Sequence, residues 1–317
     1  MDPTVFQRHK LLNWLQSTLM LSGMGGLVAV VGWLLAGEDG AWLALGLGVL
    51  MVVFSPRLSP RLVLRMYGAV PIEYSQAPQL YALVEELAQR AELPAVPRLY
   101  YIPSPELNAF TMGRPQEAVI AITDGLLRTM NLRELAGVLG HEIAHIRNND
   151  VWVMNLADTL TRVTANLSLL GQLILLINLP LIMVTGEGVS WLAVLLLVFA
   201  PSLSALLQLA LSRTREYDAD LGAVELTGDP EALASALAKL ERHNEGWLRR
   251  ILLPGRGDPE PSLLRTHPPT RERIRRLMEL ARQQPRPTPP LTQARPATVE
   301  LHGHFPQPRP RRQRWPF

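Results

Sequence analysis

The stretch Asn131-Leu132-Arg133-Glu134-Leu135-Ala136-Gly137-Val138-Leu139-Gly140-His141-Glu142-Ile143-Ala144-His145 decides how this chain is read. Asn131 and Glu134 stand three residues apart as an N-cap and its N3 partner. Leu132, Leu135, Val138 and Leu139 then follow as a helical apolar stripe. The segment His141–His145 therefore falls in the third and fourth turns of a helix with a firm start. At i and i+4 the two histidines lie on one helix face, where both ring nitrogens reach one metal ion without bending the backbone. Glu142 sits at the edge of that face, beside the position of a metal-bound water. Three protein ligands plus an open water position make a catalytic zinc site rather than a structural one. The pattern H-E-x-x-H arises by chance in roughly one chain per hundred of this composition, so the motif needs support from its surroundings. Its bland alternative is a helix with two surface histidines and a solvated glutamate.

Composition narrows the chemistry. The 317 residues include no cysteine, which removes disulfides, thiolate ligands and cysteine nucleophiles. Any metal must then be held by His, Asp or Glu. Hydrophobic residues make up 48% of the chain, high for a soluble protein with a charged, Pro-rich tail. Lysine occurs only at Lys10 and Lys239, and a net charge of +3 does not indicate nucleic acid.

Hydropathy divides the chain. Leu19–Ala36 is an apolar run without charge, close to one bilayer thickness of helix. Gly37-Glu38-Asp39-Gly40 is expected to turn, and Ala41–Phe54 follows as a second, 14-residue run. Residues 1–65 are thus an expected N-terminal transmembrane hairpin. Residues 66–150 form the first part of a catalytic α/β domain, with a helix over Gln79–Leu93 and strands over Arg98–Ile102, Asn108–Met112 and Ala118–Ile122. Residues 151–211 make a second hairpin from the runs Leu169–Val184 and Trp191–Leu211, turning at Gly186-Glu187-Gly188. Asp158 and Arg162, at i and i+4, either pair on a protein-facing side or stand in water. Residues 212–283 return to the catalytic domain, with helices opening at Asp229-Pro230 and over Glu272–Arg282 and a loop over 244–265. From residue 284 to 317, Pro and Arg with few apolar residues are expected to be disordered.

Loop charge sets an orientation. Loops 37–40 and 185–189 carry acids and no Lys or Arg, whereas the ends at 8–10, 57–65, 147 and 213–215 are basic. By the positive-inside rule the basic ends, and the catalytic domain with them, face the cytoplasm. The hairpin leaves the domain after His145 and returns at about residue 212, so Glu216 can come beside the histidines across packed antiparallel helices. Asp220, one turn on, is placed to orient a ligand histidine through its other ring nitrogen. A charged face balancing Arg213 and Arg215 is the other account of these two acids.

The motifs together resemble a family, the HtpX-type membrane zinc metallopeptidases related to the CAAX prenyl proteases. The resemblance rests on H-E-I-A-H at 141–145, S-R-T-R-E-Y-D-A-D at 212–220, N-A-F at 108–110 and T-H-P-P at 266–269, and spans about residues 1–280. It implies a mostly helical α+β fold, a zincin-like domain with a small sheet plus two transmembrane hairpins. It implies one zinc ion per chain on His141, His145 and Glu216, Glu142 as general base and Asp220 behind the ligands. Asn108, Ala109 and Phe110 would lie on an edge strand beside the cleft, where substrate adds as a strand, although an ordinary strand with a buried Phe110 explains them too. His267 corresponds to a position that helps stabilise the transition state, or simply starts a helix. Arg265 departs from the pattern, which commonly has a small hydroxyl residue there.

The expected protein is a multi-pass inner-membrane zinc endopeptidase acting on membrane or misfolded proteins, with the bilayer and polypeptide substrates as its partners. A processing peptidase for lipidated or signal-bearing peptides is the nearest alternative. A non-catalytic membrane scaffold that recruits partners through its tail is the more distant one.

Overall fold

The computed structural model describes residues 3–54, 60–185, 190–251, 270–283 and 305–306. The chain divides into two compact units, Leu58–Val151 with Glu216–Phe317 and Asp2–Arg57 with Trp152–Arg215.

The first unit is built on a four-stranded mixed sheet of order β1-β2-β4-β3, with β1 Val70–Pro71, β2 Arg98–Ile102, β3 Ala109–Met112 and β4 Val119–Thr123. Parallel pairing sets Leu99 opposite Ile120 and Tyr101 opposite Ile122, whereas β3 runs antiparallel to β4 with Thr111 opposite Ile120. All five residues of β4 are buried, as an unbroken apolar run in a central strand requires. Two expected strands are displaced by a residue. Asn108 precedes β3, and β4 continues to Thr123, because Thr123 bonds back to the Asn108 carbonyl through its amide at 3.0 Å.

Helices α3 (Pro78–Arg90) and α5 (Leu132–Arg147) cover one face of the sheet. Leu80, Val84 and Leu87 of α3 and Leu135, Leu139 and Ile143 of α5 close over Leu99, Tyr101, Ile120 and Ile122. Each of these α5 side chains is 0% exposed and contributes about 2 kcal/mol by burial, several times the propensity difference between residue types. Packing, more than propensity, therefore fixes α5 on the sheet. On the other face Phe110, Ile102, Val119 and Ala121 pack with Leu64 of α2 (Pro60–Met66). Helix α4 (Asp124–Thr129) joins β4 to α5.

The expected capping box at the start of α5 forms. Glu134 N–H donates to Asn131 Oδ1, and Asn131 N–H donates to Glu134 Oε2, both at 2.9 Å. Glu134 also receives Ser235 Oγ at 2.7 Å and Lys239 Nζ at 2.6 Å from α8 (Pro230–Ile251). Helix α8 starts at the Asp229–Pro230 signal, with Ala232 N–H on Asp229 Oδ1 at 3.0 Å. It runs on to Ile251, so residues 244–251 are helical rather than the loop expected from residue 244. A lone Gly246 among helix-compatible residues costs only about 1 kcal/mol and does not end the helix. Helix α9 (Thr270–Gln283) closes this unit. The remainder of the expected loop, 252–269, lies outside the described residues, as does the 284–317 tail apart from Phe305 and Pro306.

The second unit is helical. Helix α1 (Pro3–Phe54) breaks at Ala36 and Gly37, where Gly37 takes φ +64 and Ala36 leaves the helical region. The turn is tighter than the expected Gly37–Gly40, and helix resumes at Glu38. A Cβ on Gly32 would collide with the Gly40 carbonyl, and one on Gly40 with the Gly32 carbonyl. Two glycines eight residues apart touch only if the chain doubles back, so α1 is a hairpin of two arms. The other members are α6 (Asp150–Thr185) and α7 (Trp191–Thr227). Met24 packs with Ala157 and Leu211, Val28 with Ala44 and Val163, and Val31 with Leu197 and Ala200, so the first arm touches all three neighbours.

Outward-facing positions are apolar: Leu19, Trp33, Trp42, Leu43, Val49, Ile177 and Leu192 are all exposed. An apolar exterior over a small-residue, hydroxyl-containing interior suits lipid. Three described helices are long and apolar enough to cross a membrane, the first of them this folded hairpin. Asp158 and Arg162 pair at 2.8 Å, the i,i+4 ion pair that their spacing allows.

Candidate metal centre

Close approach between α5 and α7 assembles the site. Gly140 faces Ala223 and Thr227, and a Cβ on Gly222 would come within 2.7 Å of the Ala144 Cβ. These small side chains let the helix backbones approach, which carries Glu216 and Asp220 of α7 to the histidine face of α5. His141, His145 and Glu216 form a group whose candidate ligand atoms all lie within 4.8 Å of one another. His141 Nε2 is 3.0 Å from His145 Nε2 and 3.4 Å from Glu216 Oε2, and His145 Nε2 is 3.7 Å from Glu216 Oε1.

The other ring nitrogens reveal the protonation. Asp220 Oδ1 lies 3.1 Å from His141 Nδ1, and Asp150 Oδ2 lies 2.7 Å from His145 Nδ1. Ionised carboxylates only accept hydrogen bonds, so each Nδ1 carries the proton. Were both rings neutral, the two Nε2 lone pairs would point at each other and at a carboxylate. Such a group attracts a shared cation. Donor atoms around one tetrahedral zinc, each about 2.0–2.2 Å from it, stand about 3.3–3.5 Å apart, and the observed separations bracket that value. The residues present fit the metal.

Burial alone would lower the pKa of His141, but the Asp220 and Glu216 carboxylates outweigh it and push it up to about 9. In the metal-free site a proton takes the cation's place.

Arg273 of α9 completes the surroundings. It is 3% exposed and grips Asp220 in a fork, Nε to Oδ2 at 2.8 Å and Nη2 to Oδ1 at 2.7 Å. Its Nη1 lies 3.0 Å from Glu216 Oε2. One guanidinium thus holds the acid behind His141 and the acid in the donor group at once. Glu142 is 7% exposed and accepts a short hydrogen bond from Thr111 Oγ1 on β3, so its carboxylate is turned toward the edge strand.

The chain matches peptidase family M48 over residues 74–281, which includes every residue of this centre. This chain belongs to peptidase family M48. A "Protease HtpX homolog" of Burkholderia thailandensis is 36% identical over 292 residues, covering 86% of this chain and 98% of the relative. A Burkholderia mallei protein of the same description matches with the same identity and coverage. The crystal structure of S. mikatae Ste24p is similar in fold, with a TM-score of 0.50 at 20% identity over 85% of this chain and 66% of that one. The M48 chain is therefore a metallopeptidase and a multi-pass membrane protein, with polypeptides as its substrates.

The four residues His141, Glu142, His145 and Glu216 come together in this M48 protein, with Asp220 beside His141. Ala109 and Thr111 lie on the α5 side of β3, whereas Phe110 points the other way, its ring 5.5 Å from Tyr67 and 6% exposed. Asn108 is tied to Thr123 by its own amide at 3.0 Å. His267 lies outside the described residues. Sequence reading missed Asp150, Thr111 and Arg273. Arg273 had one signal, an arginine on a predicted helix four residues beyond Pro269, the end of the T-H-P-P motif, but nothing in the pattern showed which way it faces.

Proposed function

We propose that this M48 protein is a zinc endopeptidase that cleaves membrane or misfolded proteins, with its centre on the cytoplasmic side of the inner membrane. The observation that carries the zinc assignment is the pair of Nε2 atoms 3.0 Å apart, each ring held from behind by a carboxylate. His141, His145 and Glu216 would hold the ion. When bound, zinc supplies Lewis acidity toward the substrate carbonyl and the attacking water.

The chain's own groups do the rest. Glu142 takes the proton of the attacking water and returns it to the leaving amine. Thr111 keeps that carboxylate turned toward β3. Asp150 and Asp220 fix the tautomers of the two histidines, and Arg273 restrains Asp220 and Glu216 against rotation. Among the described residues the sheet order leaves one side of β3 without a neighbouring strand, so an extended peptide can add there through main-chain hydrogen bonds with its scissile bond before Glu142. Cytoplasmic orientation is supported by the arginines at 57–65, 147 and 213–215 against the acidic loops at 37–40 and 185–189.

The test uses purified protein in detergent with zinc quantified in the same sample, reading casein cleavage and self-cleavage for wild type and Glu142→Gln. Zinc in both proteins, with cleavage reduced about 10²–10⁴-fold in the variant, is the expected result. Equal cleavage by both would remove Glu142 as base. No zinc in either, after supplementation, would return the scaffold reading.

A further inference from the structure

Two residues of the C-terminal extension are docked on the catalytic unit, beyond the family match that ends at residue 281. The Phe305 ring stands 4.8 Å from that of Tyr101, centroid to centroid, and tilted by 50°. Phe305 thereby joins the apolar cluster between the sheet and its covering helices. Beside it the Tyr101 hydroxyl, at the far end of β2, donates to Asp124 Oδ1 at 2.8 Å and lies 3.3 Å from the Pro306 carbonyl. One phenolic hydrogen faces both acceptors, and the carboxylate takes the shorter contact. Arg128 Nε donates to the other Asp124 oxygen at 2.6 Å, so the polar wall of this site is itself held in place. An aromatic residue followed by proline suits it. Proline biases the preceding residue toward extended backbone, which leaves the ring and the next carbonyl available together.

The site adjoins the clasp on the segment that enters β3. Thr123 Oγ1 donates toward the carbonyls of Glu106 at 2.7 Å and Asn108 at 2.8 Å, and Gly125 N–H donates to Ser104 O at 3.0 Å. Gly125 packs so closely on the Pro105 and Glu106 carbonyls that a Cβ there would collide with both. Asp124, the residue between, accepts from the Tyr101 hydroxyl, the same hydroxyl that faces the Pro306 carbonyl.

We propose that Tyr101 and Asp124 form a docking site for a Phe–Pro element, filled in cis by Phe305–Pro306, and that its occupancy steadies Ser104–Asn108 where the chain enters β3. Closure in cis is sterically open. The 21 residues between Gln283 and Phe305 (305 − 283 − 1) reach up to about 70 Å when extended. The consequence for catalysis rests on β3 being the substrate edge, whereas the docking itself does not.

Full-length protein in detergent micelles tests this by amide hydrogen exchange over residues 98–125, for wild type, Phe305→Ala, Phe305→Leu and a chain ending at residue 300. Loss of one aromatic contact should raise exchange at 104–112 about tenfold in Phe305→Ala and in the truncated chain, and less in Phe305→Leu. A synthetic peptide of residues 300–310 should bind the truncated chain saturably and restore protection. Unchanged exchange in both Phe305→Ala and the truncated chain would overturn the proposal, as would failure of the peptide to bind. A photo-cross-linker at position 305, in a mixture of two differently tagged full-length chains, should join only within a chain, and cross-links between chains would overturn the cis assignment. None of these readouts uses catalysis, so they stand apart from the fate of the zinc assignment.

Discussion

Asp150 Oδ2 lies 2.7 Å from His145 Nδ1, although the two residues belong to successive helices, α5 and α6. The turn between them makes this possible: Asn148 caps α5, and Asn149 takes φ +56, a left-handed conformation that asparagine tolerates better than most residues. Through this turn the first carboxylate of α6 meets the last histidine of α5. Asp150→Asn keeps the shape but allows the amide to present either its oxygen or its NH₂ group to Nδ1, so the tautomer is no longer enforced. Zinc affinity should fall about 10–100-fold, measured by competition with a chelator, while the helical circular-dichroism signal stays unchanged.

Zinc must displace a proton to enter this site. The His141 pKa lies near 9 in the metal-free centre because Asp220 and Glu216 outweigh the burial that opposes charge. With the folded pKa above the ordinary value of 6.5, the proton stabilises the metal-free fold below pH 6.5, and this contribution is lost as pH rises through about 9. Zinc binding runs the other way. Between pH 6.5 and 9 its apparent affinity should rise by up to about tenfold per pH unit, with close to one proton released from His141 per ion bound. Isothermal titration in buffers of different ionisation enthalpy counts that proton, and a count of zero would show that His141 enters the reaction neutral.

Much of this arrangement is legible in the sequence. The apolar runs, the capping pair Asn131/Glu134 and the i,i+4 histidines obey local rules, because helix periodicity and capping depend on residues a few positions apart. Glu216 was reachable by a coarser argument, since a hairpin returns the chain to the domain that it left. Asp150 was missed because its role depends on a left-handed turn at Asn149, and Asn-Asn-Asp reads equally well as a polar helix end. Arg273 was missed because helix periodicity does not say which of the α9 arginines faces the centre, and only tertiary packing singles out the one that points inward. Phe110 shows the limit from the other side. Its strand was legible, but which face of the sheet each residue takes is a matter of register, and register places Phe110 in the core with Thr111 toward Glu142.

In the membrane unit Pro201 has no N–H, so the carbonyl of Leu197 four residues earlier lacks its usual helical donor. Helix α6 supplies substitutes. Gln172 Nε2 donates to that carbonyl at 3.0 Å, and the buried Ser168 hydroxyl donates to it as well. Gln172→Leu combined with Ser168→Ala should leave the carbonyl without these partners in lipid. The expected cost is about 0.6–1.7 kcal/mol per lost interhelical bond, seen as a lower midpoint in detergent-mediated unfolding. Replacing Pro201 with Ala in the same background should recover part of that loss, because the restored N–H can serve Leu197 from within its own helix.

Arg273 separates the metal-free and metal-loaded proteins most sharply. Its guanidinium is 3% exposed and neutralises Asp220 through two hydrogen bonds while touching Glu216. Arg273→Met removes that charge and leaves two buried acids beside His141. Removing one partner of a buried ion pair costs about 3–5 kcal/mol, and here the acids can recover some of it only by keeping His141 protonated. Zinc changes the balance, because a divalent cation at His141, His145 and Glu216 would offset the uncompensated acids directly. The variant should therefore be strongly destabilised without metal and gain more from saturating zinc than wild type does, measured as the shift in thermal midpoint between chelated and zinc-loaded samples. Arg273→Lys should fall between the two, since an ammonium restores the charge but not the fork that locks Asp220. If Arg273→Met and wild type showed equal zinc-dependent shifts, Arg273 would be holding α9 in place rather than balancing the charge of the centre.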